Sequence, residues 1–261
     1  MLPKDLAAAL TALGERRPDA HLDVRWHSSV PSTMDAASAL AHDGSPHGVV
    51  VLADEQTSGR GRRGTSWASP PGAGLYLSFL SRPGHPGEGG ASTLSLITLA
   101  AGVAVHEGIV AATGLAVDLK WPNDLVVSGR KLAGILAEGG GDTVVLGYGI
   151  NLLEAAFPPE LRGRATSLQS ELGRTVDRDL VLDETLAALS RRYDDLVDGR
   201  FDAILDAWRR RAPSASGARV TWTTNNAIQS GVTEGIDDRG ALLVRVGDRL
   251  ERIVSGELQW L

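Results

Sequence analysis

Lys120-Trp121-Pro122-Asn123-Asp124-Leu125-Val126-Val127-Ser128-Gly129-Arg130-Lys131-Leu132-Ala133-Gly134 is the stretch around which the chain is organised. Val117–Lys120 reads as a strand that Pro122 halts, because proline donates no ladder hydrogen bond. Leu125–Val127, a turn at Ser128-Gly129, and Lys131–Glu138 read as a hairpin. Thr143–Ile150 follows as another strand and runs into Asn151 through Gly147 and Gly149. The glycines of this region predict a sheet face that something flat approaches closely. The stretch also holds two of the chain's three lysines, Lys120 and Lys131, against 23 arginines. An ammonium is a compact point charge, whereas a guanidinium is a planar fork. A point charge suits a crowded phosphate or carboxylate. Arginine-rich composition explains why lysine is scarce but not why it clusters. For Lys131 the surrounding motif favours a functional cation; for Lys120 alone an ordinary surface charge is an equal reading.

Upstream, Leu6–Leu13 reads as a short helix ended by Gly14 and Pro18, and Leu22–Trp26 as a strand. Ser32-Thr33-Met34-Asp35 fits a capping box opening a helix through Ala41, although hydroxyls at a helix start also face ligands. Val49–Ala53 is an apolar strand. Behind it comes Gln56-Thr57-Ser58-Gly59-Arg60-Gly61-Arg62-Arg63-Gly64, then Trp67. Its glycines match G-x-G-x-x-G, but the dinucleotide fingerprint must open a helix, and Pro70 and Pro71 forbid one here. It is not a P-loop, since Thr65 stands where lysine belongs. A flexible loop remains, whose arginines and backbone N–H groups suit a polyanion.

Leu75–Leu80 reads as a strand, Gly84–Gly90 as a surface excursion and Ser92–Ala112 as the longest helix. The apolar run Thr93–Ala112 carries His106 and Glu107, so a buried helix is expected rather than a membrane span. Leu180–Val197 and Phe201–Arg211 read as further helices. Pro213–Gly217 reads as a linker to a small all-β unit of Arg219–Thr223, Ala227–Ile236, Ala241–Val246 and Leu250–Leu261. Two domains are therefore expected, 1–215 and 216–261.

With 261 residues, 43% apolar, the chain can bury one sizeable core. Its net charge of −6 argues against a nucleic-acid binder. It has no cysteine, hence no disulfide, thiolate nucleophile or thiolate metal site. The first thirteen residues lack the apolar core of a signal peptide, so the cytoplasm is the expected compartment.

Ser32-Thr33, Gln56 to Gly64 with Trp67, Lys120 to Asp124, Lys131 to Leu136, Gly147 to Asn151 and Ser255-Gly256-Glu257, in this order, resemble the biotin protein ligases. The resemblance covers roughly residues 25–261; each motif alone is weak, and together they are specific. It implies an α+β fold: a mixed sheet with flanking helices, similar to class II tRNA-synthetase-type domains, followed by an SH3-like barrel. It implies that biotin and Mg-ATP form biotinyl-5′-AMP, and that a lysine of a biotin carboxyl carrier domain then takes the biotinyl group.

Site residues follow from the resemblance in the same way. Ser32, Thr33 and Gln56 would serve the ureido ring, with Met34 next to them at biotin, and Gly134 would lie beside the apolar part of biotin. Arg60, Gly61 and Arg62 would close over biotin and the α-phosphate, and Lys131 would bridge carboxylate and phosphate, where charge develops. Asp124 and Asn151 would lie near the nucleotide and its Mg²⁺, with Lys120 and Asn123 beside them. Arg62, Lys131 and Asp124 form the catalytic set. Trp67 is either a wall beside adenine or a core tryptophan. No residue is assigned as a metal ligand, since Mg²⁺ keeps most of its waters. Met34 and Leu153 depart from the family pattern, which has asparagine at both places. Only one helix precedes the first strand, too little for a helix-turn-helix, so no DNA partner is expected. A monomer or weak homodimer, without a membrane partner, is anticipated. A lipoate or octanoate ligase or transferase of the same fold is the alternative, and a non-catalytic biotin-binding module a more distant one.

Overall fold

A computed structural model of the chain describes residues 2–18, 20, 22–83, 90–140, 142–224, 227–256 and 258–261; of residues 90–93 and 140 it describes the backbone only. Of the expected Gly84–Gly90 excursion, residues 84–89 lie outside the described residues, as does Glu257, and Gly90 instead opens a helix.

Apolar residues on alternating sides of short strands build a central seven-stranded sheet. Its strands are β1 (Asp23–His27), β2 (Val49–Ala53), β3 (Gly74–Ser81), β4 (Asp118–Lys120), β5 (Asp124–Val127), β6 (Arg130–Gly140) and β7 (Thr143–Asn151). They are ordered β1-β2-β3-β7-β6-β5-β4. β1 and β2 pair in parallel and the other neighbours are antiparallel, so the sheet is mixed as expected. The period of two sorts the faces. On β2, Val50 and Leu52 face the main core, whereas Val49 and Val51 face helix α2 (Thr33–His42), which also covers Leu80 and Val145. On β7, Leu146, Tyr148 and Ile150 face the main core. Gly147 and Gly149 fall on the other face and leave a flat floor there.

The main core is closed by α1 (Lys4–Arg16), α3 (Gly90–Thr113), α5 (Arg178–Val197) and α6 (Phe201–Arg209). Leu6, Ala9 and Leu13 of α1 are buried at helical spacing against α5. Burying a leucine fully contributes roughly 1.5–3 kcal/mol, which carries α1 through Gly14, where a stop was expected, to Arg16. Arg16 then pairs with Asp183 at 2.7 Å and Glu184 at 2.8 Å on α5. Helix α3 is long and apolar enough to cross a membrane by length and composition. It lies instead under α5, α6 and β6, and its Glu107 holds Arg192 at 2.5 Å and Arg211 at 2.9 Å.

The C-terminal unit is a five-stranded antiparallel sheet, the SH3-like type expected: β8 (Ser216–Thr224), β9 (Ala227–Ile236), β10 (Leu242–Val246), β11 (Arg249–Ile253) and β12 (Gln259–Trp260), ordered β11-β10-β9-β8-β12. Two expectations change here. The last strand is broken into β11 and β12, with Ser255 and Gly256 between them. The linker over Pro213–Gly217 is a packed turn entering β8: Ala215 is buried, and Thr233 Oγ1 donates to the Ser214 carbonyl at 2.9 Å. Val220, Trp222, Leu242 and Val244 extend the main core without a break.

Candidate active site

The glycine floor and the loop after β2 enclose a cavity of about 610 Å³. Gly134 on β6 stands opposite Gly149 on β7, so two side chains are missing side by side. Trp67 lies in that space. A Cβ on Gly149 would come within 2.5 Å of Trp67 Nε1, and one on Gly134 within 3.0 Å of Trp67 Cζ3. Trp67 is stacked on the floor and half-buried, so it is not a core tryptophan.

The 56–69 segment is more regular than the flexible loop its glycines suggested. Gln56 N donates to Ser69 O at 3.1 Å, Trp67 N to Gly59 O at 2.8 Å and Gly61 N to Thr65 O at 2.7 Å. Gly59 is required by close approach, since its Cβ would sit 2.3 Å from the Trp67 carbonyl. Arg60 fastens the segment from outside: it donates to Asp35 on α2 and to Glu138 on β6, each at 2.5 Å. Arg62 turns inward and donates to Asn123 Oδ1 at 3.3 Å. Burial lowers the Arg62 pKa from its ordinary value, the neighbouring Arg63 charge adds to this, and Asp124 opposes it. A cation held there lacks a full counter-charge and so favours an incoming anion.

Lys131 Nζ stands 2.7 Å from Asp124 Oδ1 and 5.3 Å from the Trp67 ring centre. The contact with Asp124 is one of charge, since Oδ1 accepts no aligned hydrogen bond. Register explains the pairing: Asp124 opens β5 opposite Gly134, and Lys131 lies on the strand that returns past it. Ser128 and Gly129, with φ of 50° and 77°, make the tight turn between them. Asn123 is locked to β6: its Nδ2 donates to Ile135 O at 2.7 Å, and its carbonyl accepts from Ile135 N at 2.9 Å. Lys120 Nζ lies 5.4 Å from the Trp260 ring centre. Burial lowers the Lys120 pKa, against the pull of Asp124 and with the push of Lys131.

At the other end, Gln56 Oε1 accepts from Thr33 N at 2.8 Å and Thr33 Oγ1 at 3.0 Å, while Ser78 Oγ donates to Thr33 Oγ1 at 2.9 Å. Met34 packs over the floor, its sulfur 2.6 Å from where a Cβ of Gly147 would stand.

Thr33, Met34, Gln56, Arg60, Gly61 and Arg62 thus meet in one cavity with Trp67, Lys120, Asn123, Asp124, Lys131 and Gly134. Two expected residues do not line it. Ser32 is fully buried and makes no capping hydrogen bond, so the capping box is not formed; its Oγ has no partner. Asn151, 3% exposed, turns away from the cavity and donates to Thr166 O at 2.9 Å and Lys131 O at 3.5 Å. It braces Lys131 from behind. Trp260, Leu258 and Arg164 line the cavity without having been singled out. Trp260 belongs to a two-residue strand with no local signature, and Arg164 to a segment that carries no motif.

Among the described residues no group of three or more His, Cys, Asp or Glu side chains could hold a metal ion. Among the described residues that line the cavity, Asp124 is the carboxylate, with its Oδ1 against Lys131 Nζ.

Residues 26–152 match the Biotin/lipoate A/B protein ligase family, and residues 215–259 the Biotin protein ligase C terminal domain. A bifunctional ligase/repressor of Bacillus subtilis is 35% identical over 241 residues, 90% of this chain and 73% of its own. A biotin–[acetyl-CoA-carboxylase] ligase of Paracoccus denitrificans is 38% identical over 205 residues, 75% of this chain and 83% of its own. Among solved structures, a biotin protein ligase from Aquifex aeolicus in complex with biotin and ATP aligns with a TM-score of 0.79 at 30% identity, covering 92% of this chain and 98% of its own.

Proposed function

The chain belongs to the biotin protein ligase family, and we infer from this that it joins biotin to a lysine of a biotin carboxyl carrier domain at the expense of ATP. The observation that carries the chemistry is the placement of Lys131 in a cavity with a glycine floor, beside Asp124 and over Trp67. In the first step a biotin carboxylate oxygen attacks the α-phosphorus of ATP, and the bond to pyrophosphate breaks. Lys131 neutralises the charge that builds on the α-phosphate, and Arg62 joins it from the loop. In the second step the neutral amine of the carrier lysine attacks the acyl carbon and AMP leaves. At pH 7 roughly one lysine in 2,500 is neutral, so a carboxylate that orients the amine and takes its proton matters. Asp124 is assigned that part.

Thr33 and Gln56 are assigned to the ureido ring, with Ser32 behind them, and Met34 and Gly134 to the apolar part of biotin. Gly61 belongs to the loop that closes over biotin. Lys120, Asn123 and Trp67 are assigned to the nucleotide side. Asn151 belongs there only indirectly, through the Lys131 carbonyl. Mg²⁺ would neutralise charge on the ATP phosphates, and Asp124 is the residue that would hold it, since one or two carboxylates suffice for this ion.

We take residues 1–215 as the ligating unit and 216–261 as the C-terminal unit. We propose that the chain works in the cytoplasm as a monomer or weak homodimer and does not read DNA. Its net charge is −6, and the apolar face of α1 is spent against α5. The test is incubation with Mg-ATP, a carrier domain and either biotin or lipoate, read by mass. A biotinyl gain is expected; a lipoyl gain instead would overturn the assignment. A gel shift on promoter DNA that is sequence-selective and salt-sensitive would refute the absence of DNA reading.

A further inference from the structure

The 164–171 segment supports Lys131 through contacts that lie outside the cavity's catalytic set. Both backbone groups of Lys131 are bonded to this segment: Lys131 N donates to Arg164 O at 2.8 Å, and Thr166 N donates to Lys131 O at 2.9 Å. Thr166 is 1% exposed and itself held from two sides. Asn151 donates to its carbonyl, and its hydroxyl donates to Glu171 Oε1 in a short hydrogen bond. The same oxygen, Glu171 Oε1, accepts from Arg130 Nη2 at 2.8 Å. Arg130 is the residue immediately before Lys131. One carboxylate therefore ties the residue preceding Lys131 to the residue hydrogen-bonded to Lys131. Glu171 stands on a short helix, α4 (Leu168–Leu172), whose start is capped by Ser167 and whose Leu168 is fully buried, so the anchor is itself fixed.

We propose that Glu171 is a positioning residue for Lys131, acting through Thr166 and Arg130. The inference rests on the ligase reading above. An ammonium that must meet both a carboxylate and an α-phosphate has little positional tolerance. A misplacement of about 1 Å from a change distant from the chemistry can cost on the order of 100-fold in rate. A hydrogen bond with a charged acceptor is also stronger and shorter than a neutral one, which suits a strut. Glu171 does not line the cavity, so its loss should spare substrate affinity and slow the chemical step.

The experiment is single-turnover formation of biotinyl-5′-AMP by the full chain, with biotin affinity and thermal stability measured alongside. Glu171→Ala should lower the adenylation rate by roughly 10- to 100-fold while biotin affinity changes by less than about 3-fold. Glu171→Gln keeps an oxygen for the Thr166 hydroxyl and an Arg130 N–H, and should recover most of the rate. Thr166→Val, which removes the hydroxyl but keeps the backbone, should fall between them. Parental adenylation by Glu171→Ala would overturn the proposal. So would a proportional loss of rate, affinity and melting temperature that Glu171→Gln fails to rescue, because that pattern marks a purely structural part. A parent chain that forms no adenylate at all would defeat the ligase reading itself.

Discussion

Asp124 faces Lys131 across 2.7 Å, with the two side chains 27% and 35% exposed. A pair this open to solvent contributes at most about 1 kcal/mol to stability. Its value lies in function. Asp124→Asn should leave the melting temperature almost unchanged and slow transfer from pre-formed adenylate to the carrier. Single-turnover transfer and adenylation, measured separately, decide the role. Unchanged transfer with collapsed adenylation would move Asp124 to the nucleotide side alone.

Lys131 and Arg62 should behave differently when removed. Lys131 lies on a strand whose backbone is bonded on both sides, so its ammonium is preorganised. Lys131→Ala should lose adenylation by about 10²–10³-fold, and Lys131→Arg should not restore it, since a planar fork does not replace a point charge. Arg62 sits beside Arg63, which has φ of 55°, in a short turn, and its guanidinium donates to Asn123 at 3.3 Å. Arg62→Gly should still form adenylate but release it, so that lysines of bystander proteins become labelled. Adenylate held as tightly as by the parent would end the closing role of this segment.

Gly149→Ala tests the floor. The added methyl meets Trp67 Nε1 at 2.5 Å, inside any normal contact. Overpacking of this kind costs about 1–3 kcal/mol unless the neighbour moves. Here the indole can lift, so the expected outcome is a modest fall in melting temperature with a large fall in biotin affinity. Calorimetry and tryptophan fluorescence report the two separately. An unshifted biotin affinity would show that Trp67 does not shape the site.

His106 should make stability depend on pH. Burial, and then the Arg211 charge, hold the imidazole below its ordinary value of 6.5, while the Val117 backbone, Glu107 and Asp118 pull the other way. Because the folded value is the lower one, the unfolded chain takes up the proton first as pH falls. This contribution is therefore full above about 6.5 and is lost as pH drops through that value towards the folded one. His106→Leu should flatten the slope of urea-unfolding stability between pH 7 and 5. An equal slope in both proteins would assign the dependence to other groups.

Much of this protein is legible in its sequence because the controlling forces act over a few residues. The Ser128-Gly129 turn, the alternation that sorts Val49 to Leu52 between two faces, and Ala227–Ile236 as a strand all follow from local backbone and side-chain preferences. The resemblance carried by the motifs from Ser32 to Glu257 is legible as well, because it rests on the order of short motifs along the chain. Tertiary structure decided the rest. It turned Asn151 away from the cavity to brace Lys131, left Ser32 uncapped and unpartnered, and brought Trp260 to Lys120 and Glu171 to the flank of Lys131. Those contacts join residues 20 to 140 positions apart. No local preference encodes them, because they form only when the sheet, α4 and the C-terminal unit have packed and each buried polar group takes the partner that packing leaves within reach.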